Sequence, residues 1–495
     1  MDLADFKSLR RWGDLPRRFS HLSRMAYMVF LAVTGLFLVT LSWVFLQPPA
    51  VVSTSSSSSL EHAAGKAPAA TPTIAYDPTP TPELSSVTIH HSDEGTSHVD
   101  HSATPLVKPD GMRIVGVIFY GRRDRASLLE CYLRKNLVSY GGWLDEVIWA
   151  ANTEDTDDLT YGEHIAGTQN EYTFLPIRNE NGGDGYMNIY RHAFTEPDTI
   201  YVKMDDDVVF IDQSAIPRVV MTLVNNPRAL LVSSNVVNNP ALGWVHYHMG
   251  AVHPYVPEVR PNGDNLASKQ NGIWRASELP SWSGAEWEMP ELDHFYSLFG
   301  VNDRTNVPLH RWIPTRNLSL LYKTPVAKSE YNAFGNNLHF WPLAAQAHYS
   351  LLQNIEDRRL GRYFMVHGSD EEAVSTWDMN GSRISINFMV IKGKDIIDNL
   401  SNLQPDDEQR LTVDLPTMLN RAVLVETTSV VSHFSFGPQK NLAKTDILAR
   451  YHNYANQNIC PNAILEPEIL LTTDKMPELT LNSASTLNIE TRLET

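Results

Sequence analysis

Apolar runs typical of buried β-strands alternate with helix-like segments in the middle of the chain. Residues 112–120 read MRIVGVIFY, a continuous apolar and β-branched run of the kind found in parallel sheets. Residues 126–138 then place leucines at helical spacing. Further strands are predicted at 146–151, 171–177 and 199–204, with a short helix at 186–194. The alternation predicts an α/β fold with a mostly parallel sheet flanked by helices, which binds ligands outside the carboxyl ends of its strands.

This regular pattern is interrupted over residues 240–345. The segment is rich in proline and holds six of the 11 tryptophans, so an irregular insertion is expected there. Beyond it, the sequence predicts a helix around 348–354, a strand at 384–391 and one or two strands within 422–436.

The N-terminal region has a different character. Residues 25–46 carry no charge and are long enough to cross a bilayer as a helix. A cleaved signal peptide is the alternative, but its apolar part is normally shorter, about 7–15 residues. Because Lys and Arg outnumber Asp in residues 1–24, that segment is predicted to be a cytosolic tail. The Ser/Thr/Pro-rich residues 47–110 are predicted to form a disordered stalk, and everything beyond residue 46 lies across the membrane.

Residues 111–465 are predicted to form the catalytic domain, and residues 466–495 a peripheral or disordered tail. The composition of the chain restricts what this domain can do. The net charge of -17 argues against a nucleic-acid partner, which requires a basic face. With only two cysteines, the chain is not a disulfide-rich scaffold. Cys131 and Cys460 either form one bridge or remain buried thiols. Three Asn-x-Ser sequons, at Asn317, Asn380 and Asn399, fit a secretory compartment.

Three consecutive carboxylates, Asp205, Asp206 and Asp207, stand where the fourth predicted strand ends. Their mutual repulsion and desolvation are costly unless a cation neutralises them. Alternation along the strand directs Asp205 and Asp207 to the same side, so both can reach one ion. Carboxylate oxygens suit Mn²⁺ or Mg²⁺. The alternative is a solvated acidic turn.

A hydrophobic strand ending in Asp-x-Asp, about 90 residues after the first strand, resembles the GT-A glycosyltransferases. The anchor, stalk and luminal domain resemble type II Golgi members of that class. Residues 119–123 (FYGRR), 201–211 (YVKMDDDVVFI) and 432–436 (SHFSF) are similar to fungal proteins described as nucleotide-diphospho-sugar transferases. The resemblance covers about 110–460. It implies a GT-A-like fold, a nucleotide-sugar donor, a glycan or glycoconjugate acceptor and a bound Mn²⁺ or Mg²⁺.

The resemblance also implies roles for individual residues. Asp205 and Asp207 would bind the metal that bridges the donor diphosphate, and Asp206 would touch the ribose or the donor sugar. His433 would complete the metal site, although a histidine in an apolar strand is more often a core residue. The remaining donor-binding candidates lie where the first and second strands end: Phe119, Tyr120, Gly121, Arg122 or Arg123, Asn152 and Thr153.

The catalytic base of an inverting transferase would be an Asp or Glu. Asp370 and Glu371 are the candidates, in a loop that enters a short predicted helix. The alternative is that these carboxylates belong to a helix-capping box of Ser369 and Glu372, which can hold at the same time, and a retaining enzyme needs no such base. The polar residues at 233–239 and the tryptophans of 240–345 are candidates for an acceptor wall, unless the tryptophans simply fill the insertion.

The prediction is therefore a metal-dependent glycosyltransferase of the Golgi membrane. Two rivals remain open: a non-catalytic carbohydrate-binding or scaffolding protein with the same fold, and a metal-dependent phosphohydrolase.

Overall fold

The computed structural model describes residues 106–177, 185–258, 272–284, 311–365 and 376–461, which all belong to one unit, Ser97–Thr495. Residues 25–46 lie outside these ranges, as do the predicted tails and most of the stalk, so their assignments remain predictions. Among the described helices, none combines the length and apolarity that a membrane crossing requires.

The strands and α-helices follow the predicted alternation in the first half of the domain. The strands are β1 (Ile114–Tyr120), β2 (Glu146–Ala151), β3 (Tyr172–Pro176), β4 (Ile200–Asp205), β5 (Val208–Ile211), β6 (Ala229–Val237), β7 (Tyr255–Pro257), β8 (Trp312–Pro314), β9 (Thr376–Asp378), β10 (Phe388–Lys392) and β11 (Ala422–His433). The α-helices are α1 (Arg123–Lys135), α2 (Thr156–Ala166), α3 (Gly185–Ala193), α4 (Ala215–Asn225), α5 (Pro240–His248), α6 (Asn336–His339), α7 (Trp341–Glu356), α8 (Gly393–Asn399), α9 (Asp407–Gln409), α10 (Leu415–Leu419) and α11 (Ile447–Asn458).

Within the described residues, nine strands form one mixed sheet in the order β3-β2-β1-β4-β10-β6-β11-β5, with β9 paired to β11. Strands β3, β2, β1 and β4 are mutually parallel, and β6 is parallel to β11. Strand β10 runs antiparallel between β4 and β6. The sheet is thus mostly parallel and Rossmann-like in its first half, as predicted.

The continuous apolar strands are explained by burial on both faces of the sheet. Alternate residues of β1 enter two separate hydrophobic clusters, one containing Ile114, Ile118 and Tyr120 and the other containing Val115, Val117 and Phe119. A strand covered on both faces cannot show the polar–apolar alternation of a half-exposed strand. This explains why β1 could be recognised from a run of apolar residues.

The two cysteines form a disulfide bridge, with 5.9 Å between their Cα atoms. Cys131 lies in α1, and Cys460 follows the end of α11. The bridge therefore ties the first helix of the domain to its last described helix, which decides between the two alternatives left open by the sequence.

The segment 240–345 is more regular than its composition predicts. It opens with α5, whose first turn is capped by the Asn239 side chain, and strands β7 and β8 form a small antiparallel pair. Trp274, Trp312 and Trp341 are each no more than 5 % exposed. They contribute to the core, so these three tryptophans do not form the acceptor wall considered above.

Candidate metal and donor site

The carboxyl ends of β1, β2 and β4 meet along one edge of the sheet. Phe119 pairs with Asp205 and Tyr120 with Ala151, so the residues that follow these strands lie close together. They line an open cleft of about 440 Å³. The predicted site residues that line it are Phe119, Tyr120, Gly121, Arg122, Asn152, Asp205, Asp206, Asp207 and His433. The structure thus brings together nine of the residues that the predictions assigned to donor or metal, whereas Arg123 and Thr153 do not line the cleft.

Asp205 is the last residue of β4, and Asp206 and Asp207 form the tight connection to β5; the three residues are here termed the acidic turn. The Asp205 side chain is 24 % exposed. Its Oδ1 accepts a hydrogen bond from Lys203 Nζ, and its Oδ2 accepts one of 2.9 Å from Asn387 Nδ2. Asp205 is thus fixed in orientation while remaining accessible from the cleft.

Asp206 differs from the role implied by the resemblance. It is only 2 % exposed, and its Oδ2 accepts a 2.8 Å hydrogen bond from the Gly121 backbone nitrogen. Its Oδ1 accepts hydrogen bonds from Arg122, including one of 3.0 Å from Nε. Both oxygens therefore hold the β1–α1 turn in place, so the side chain connects two loops and is not open to a sugar.

Asp207 is fully buried and is surrounded by cations. Its Oδ2 accepts a 3.0 Å hydrogen bond from Arg125 Nη1 and lies 3.3 Å from Arg122 Nη2. Its Oδ1 lies 3.0 Å from His433 Nε2. The same histidine nitrogen lies 3.8 Å from Asp205 Oδ2.

The pKa values of the two buried carboxyls are shifted in opposite directions. Burial raises the pKa of Asp206 to about 6, and the neighbouring Arg122 offsets this only in part. Burial acts on Asp207 in the same direction, but His433, Arg122 and Arg125 outweigh it and hold the pKa of Asp207 well below its usual range. Asp207 is consequently the more firmly ionised of the two.

The sequence argument that the triplet needs a metal ion to neutralise it is too strong. Lys203, Arg122 and Arg125 supply three permanent positive charges against the three carboxylates. Lys203 was missed because it stands within an apolar strand pattern, and Arg125 because it belongs to a charged run just before the predicted helix. The position of Lys203 two residues before the acidic turn was the available signal, since a buried lysine requires a nearby anion.

A divalent cation nevertheless fits the remaining ligand atoms. Asp205, Asp207 and His433 each offer one ligand atom, all within 4.8 Å of one another. Among the described residues, Asp207 Oδ1 is contacted by His433 Nε2 at 3.0 Å, and no group forms a hydrogen bond to His433 Nδ1. Two carboxylates with one imidazole form a donor set suited to Mn²⁺ or Mg²⁺.

Aromatic rings and a positive charge lie next to the turn between β1 and α1. Phe119 is packed near the exposed ring of Tyr186, with 6.2 Å between the ring centroids, and Lys203 Nζ lies 4.7 Å from the Phe119 centroid. Tyr120 is only 1 % exposed, and its hydroxyl donates a 2.6 Å hydrogen bond to Asp158 O. The Tyr120 side chain therefore belongs to the core, contrary to a direct role in donor binding.

The two arginines of this turn have different partners. The Arg122 side chain is 45 % exposed at the cleft and pairs with Asp206 and Asp207. Arg123 instead donates a 2.9 Å hydrogen bond to Asp158 at the start of α2. Of the two, only Arg122 is placed to meet a phosphate.

The polar residues predicted for an acceptor wall are buried between β6 and β11. Asn235 Nδ2 donates to Tyr363 O and Thr427 O at 2.6 and 2.9 Å, and its Oδ1 lies 2.7 Å from His246 Nε2. Similar bonds to neighbouring groups engage the whole set, here termed the amide network: Ser233, Ser234, Asn235, Asn238 and Asn239. The acceptor-wall prediction is therefore wrong for these residues.

Asp370 and Glu371, the predicted base candidates, lie outside the described residues. Other cleft-lining residues had not been assigned from the sequence, namely Tyr186, Lys203, Ile386, Asn387, Asp407, Glu408, Ser435, Phe436 and Gly437. Most of them come from segments distant in sequence, which only the fold brings together.

The sequence matches no protein-family model and no curated protein. Among solved structures, it is similar to 4-diphosphocytidyl-2C-methyl-D-erythritol synthase from Anaerococcus prevotii, with 15 % identity and a TM-score of 0.20 over 25 % of this chain and 55 % of that one. Glucosyl-3-phosphoglycerate synthase from Mycobacterium tuberculosis, solved with Mn²⁺ and UDP, matches with 19 % identity and a TM-score of 0.19 over 25 % of this chain and 44 % of that one.

A third solved structure, CMP:2-keto-3-deoxy-manno-octonic acid synthetase with CTP, matches at 8 % identity and a TM-score of 0.27 over 69 % of this chain and 96 % of that one. The chain spans about half the length of the other two structures. At these scores the similarities do not establish a common fold, and the functional conclusion depends on the geometry of the cleft.

Proposed function

We propose that this chain is a metal-dependent glycosyltransferase that moves a sugar from a nucleotide-diphosphate donor to a glycan or glycoconjugate acceptor. One observation carries the proposal: the ligand atoms of Asp205, Asp207 and His433 converge in a cleft at the carboxyl ends of parallel strands. Clefts at this edge of an α/β sheet are where such folds bind their ligands.

The residues around the cleft have separate roles in this proposal. Asp205, Asp207 and His433 hold Mn²⁺ or Mg²⁺, and the bound ion stabilises negative charge on the departing diphosphate. Arg122 supplies a second positive charge at the cleft. Arg125 holds the Asp207 carboxylate in place, and Lys203 holds that of Asp205. Phe119 and Asn152 contribute to the surface that receives the nucleotide.

The compartment forms part of the proposal. A single-pass type II Golgi protein with a luminal catalytic domain is supported by the uncharged segment 25–46 and by the disulfide, because disulfides persist in oxidising compartments. Protease protection of the folded domain in sealed Golgi vesicles, lost when detergent is added, is the expected result. Digestion without detergent would contradict this location.

The activity is tested with the full-length chain in detergent, a panel of UDP- and GDP-sugars, and Mn²⁺. We expect release of the nucleotide from at least one donor, and abolition of that release by EDTA. Asp205→Asn should abolish it as well. Asp212→Asn is the matched control, because Asp212 lies just beyond β5 and bonds Ser214 away from the cleft.

The outcomes separate the rivals named above. No nucleotide release from any donor by the folded protein would support the non-catalytic alternative. Cleavage of simple phosphate esters without any requirement for a nucleotide sugar would support the phosphohydrolase. Among the described residues, only three ligands converge at the proposed ion, which favours the transferase.

A further inference from the structure

The cleft contains acidic groups besides the acidic turn. Asp407 and Glu408, at the start of α9, line it together with Ile386 and Asn387. Neither carboxylate belongs to the convergent metal cluster. A carboxylate beside a donor site is the usual group for deprotonating an acceptor hydroxyl.

The two carboxylates differ in how their oxygens are bonded. Asp407 Oδ2 accepts a 3.0 Å hydrogen bond from the Tyr190 hydroxyl, and its Oδ1 accepts one of 3.0 Å from the Glu408 backbone nitrogen. Glu408 Oε1 accepts hydrogen bonds from Arg383 Nε at 2.8 Å and Ser385 Oγ at 3.3 Å. Within the described part of the chain, no group donates a hydrogen bond to Glu408 Oε2. One oxygen thus fixes the side chain, while the other remains available.

The surroundings of Glu408 also suit proton transfer. Its side chain is 21 % exposed, enough to meet a substrate while most of it is withdrawn from water. Burial raises the pKa of Glu408, although Arg383 and its hydrogen bonds act against the shift. A carboxylate with a raised pKa accepts a proton more readily than one in water.

We propose that Glu408 is the general base of the transfer reaction, which makes the enzyme inverting; this inference rests on the proposed function. The acceptor hydroxyl oxygen bonds to the anomeric carbon on the face opposite the diphosphate. The bond from that carbon to the phosphate oxygen breaks, and its electron pair leaves with the nucleoside diphosphate. The hydroxyl proton passes to Glu408 Oε2 and is later released to water.

Asp406 provides a matched control for a purely structural role of Glu408, because both carboxylates pair with Arg383. Arg383 also forms a bidentate contact with Asp406, at 2.8 and 3.1 Å. Asp406 does not line the cleft, and an Asn at this position can still accept the Gln409 N–H that caps α9. Asp406→Asn and Glu408→Gln therefore each weaken one ion pair of Arg383, but only Glu408→Gln removes the proposed base.

The experiment uses the full-length protein with the nucleotide-sugar that the donor panel identifies, and water as the acceptor. We expect Glu408→Gln to lower kcat for nucleotide release by about 100-fold or more, with KM for the donor unchanged. Asp406→Asn should stay within about threefold of the wild type, since exposed ion pairs contribute little. Thermal stabilisation by the nucleoside diphosphate with Mn²⁺ should be the same in all three proteins.

Azide provides a second measurement, because it is a nucleophile that carries no proton and needs no base. With Glu408→Ala, sodium azide should restore nucleotide release and yield a glycosyl azide of inverted anomeric configuration. A loss of activity caused by misfolding would not be restored in this way.

Each failure has a distinct reading. Wild-type protein that releases no nucleotide refutes the proposed function and this inference with it. Active wild type with full activity in Glu408→Gln refutes the base assignment alone, as does a glycosyl azide of retained configuration. Activity lost in Asp407→Asn but kept in Glu408→Gln would transfer the role to Asp407.

Discussion

The acidic turn and the amide network both follow apolar strands, yet they use their polar groups in opposite ways. In the amide network, each side chain is matched to a neighbouring hydrogen-bonding group, as Asn235 is to Tyr363, Thr427 and His246. In the acidic turn, ligand atoms of Asp205, Asp207 and His433 instead lie within 4.8 Å of one another at the cleft. Carboxylate and imidazole atoms that converge at a cleft therefore distinguish this candidate ligand site from a polar core.

The largest expected effect comes from Asp207→Ala. It should abolish nucleotide release and also lower the free energy of unfolding by about 3–5 kcal/mol, because Arg125 is left buried without its carboxylate. Urea unfolding and donor turnover measure the two effects. Asp205→Ala, at a more exposed carboxylate, should abolish turnover with a smaller loss of stability. Equal stability of Asp207→Ala and wild type would show that the Arg125 contact contributes nothing.

Asn235→Ala tests whether the amide network contributes to stability and not to activity. It removes three hydrogen bonds from a buried position, so we expect a loss of about 2–3 kcal/mol. Donor turnover per folded molecule should not change, since Asn235 does not line the cleft. Reduced donor turnover per folded molecule would contradict this separation and show that the amide network influences the cleft.

The pH dependence of stability also separates the two regions, because the amide network is bonded through Asn235 to the buried His246. Burial lowers the pKa of His246 to about 3. The unfolded chain binds a proton below about pH 6.5, whereas the folded state does not, so stability is complete above that pH and falls as the pH is lowered. Between pH 7 and pH 5 this histidine should cost about 2 kcal/mol.

Urea unfolding of wild type and His246→Gln at the two pH values isolates this contribution. The difference between pH 7 and pH 5 should be about 2 kcal/mol smaller in the variant. An unchanged difference would contradict the assignment of a buried, neutral His246.

The smallest effect is expected for the two arginines of the β1–α1 turn. Arg122→Ala should weaken binding of a nucleoside diphosphate about tenfold, as expected for the loss of one charge-assisted hydrogen bond. Arg123→Ala should leave the affinity nearly unchanged, because Arg123 contacts α2 instead. Calorimetric titration with the nucleotide identified by the donor panel measures both. The reverse order of effects would contradict the placement of Arg122 in the cleft.

The first half of the fold was predictable because β1 to β4 are short, apolar and separated by helices. The strand order was not, since nothing in the sequence places β10 between β4 and β6. The strand predicted at 384–391 begins only at Phe388, and the region 422–436 forms one strand that ends at His433. Local pattern identifies such elements, whereas long-range pairing sets their bounds and neighbours.

For the site, the sequence indicated those residues whose chemistry interrupts an apolar pattern at a strand end, such as Asp205 and Asp207. It did not indicate Arg125, which lies on the buried side of α1, or Glu408, which reaches the cleft from about 200 residues later in the chain. It assigned Asp206 and Tyr120 to the donor because position alone does not reveal which partner a side chain meets. Their partners, Gly121 and Asp158, became evident only in the folded chain.

The bridge between Cys131 and Cys460 has a consequence for biosynthesis. The two residues are 329 positions apart, so the whole intervening polypeptide must leave the ribosome before the sulfur atoms can meet. Covalent closure therefore follows synthesis of the whole segment between them, and a translation product that stops short of residue 460 would carry an unpaired thiol at Cys131.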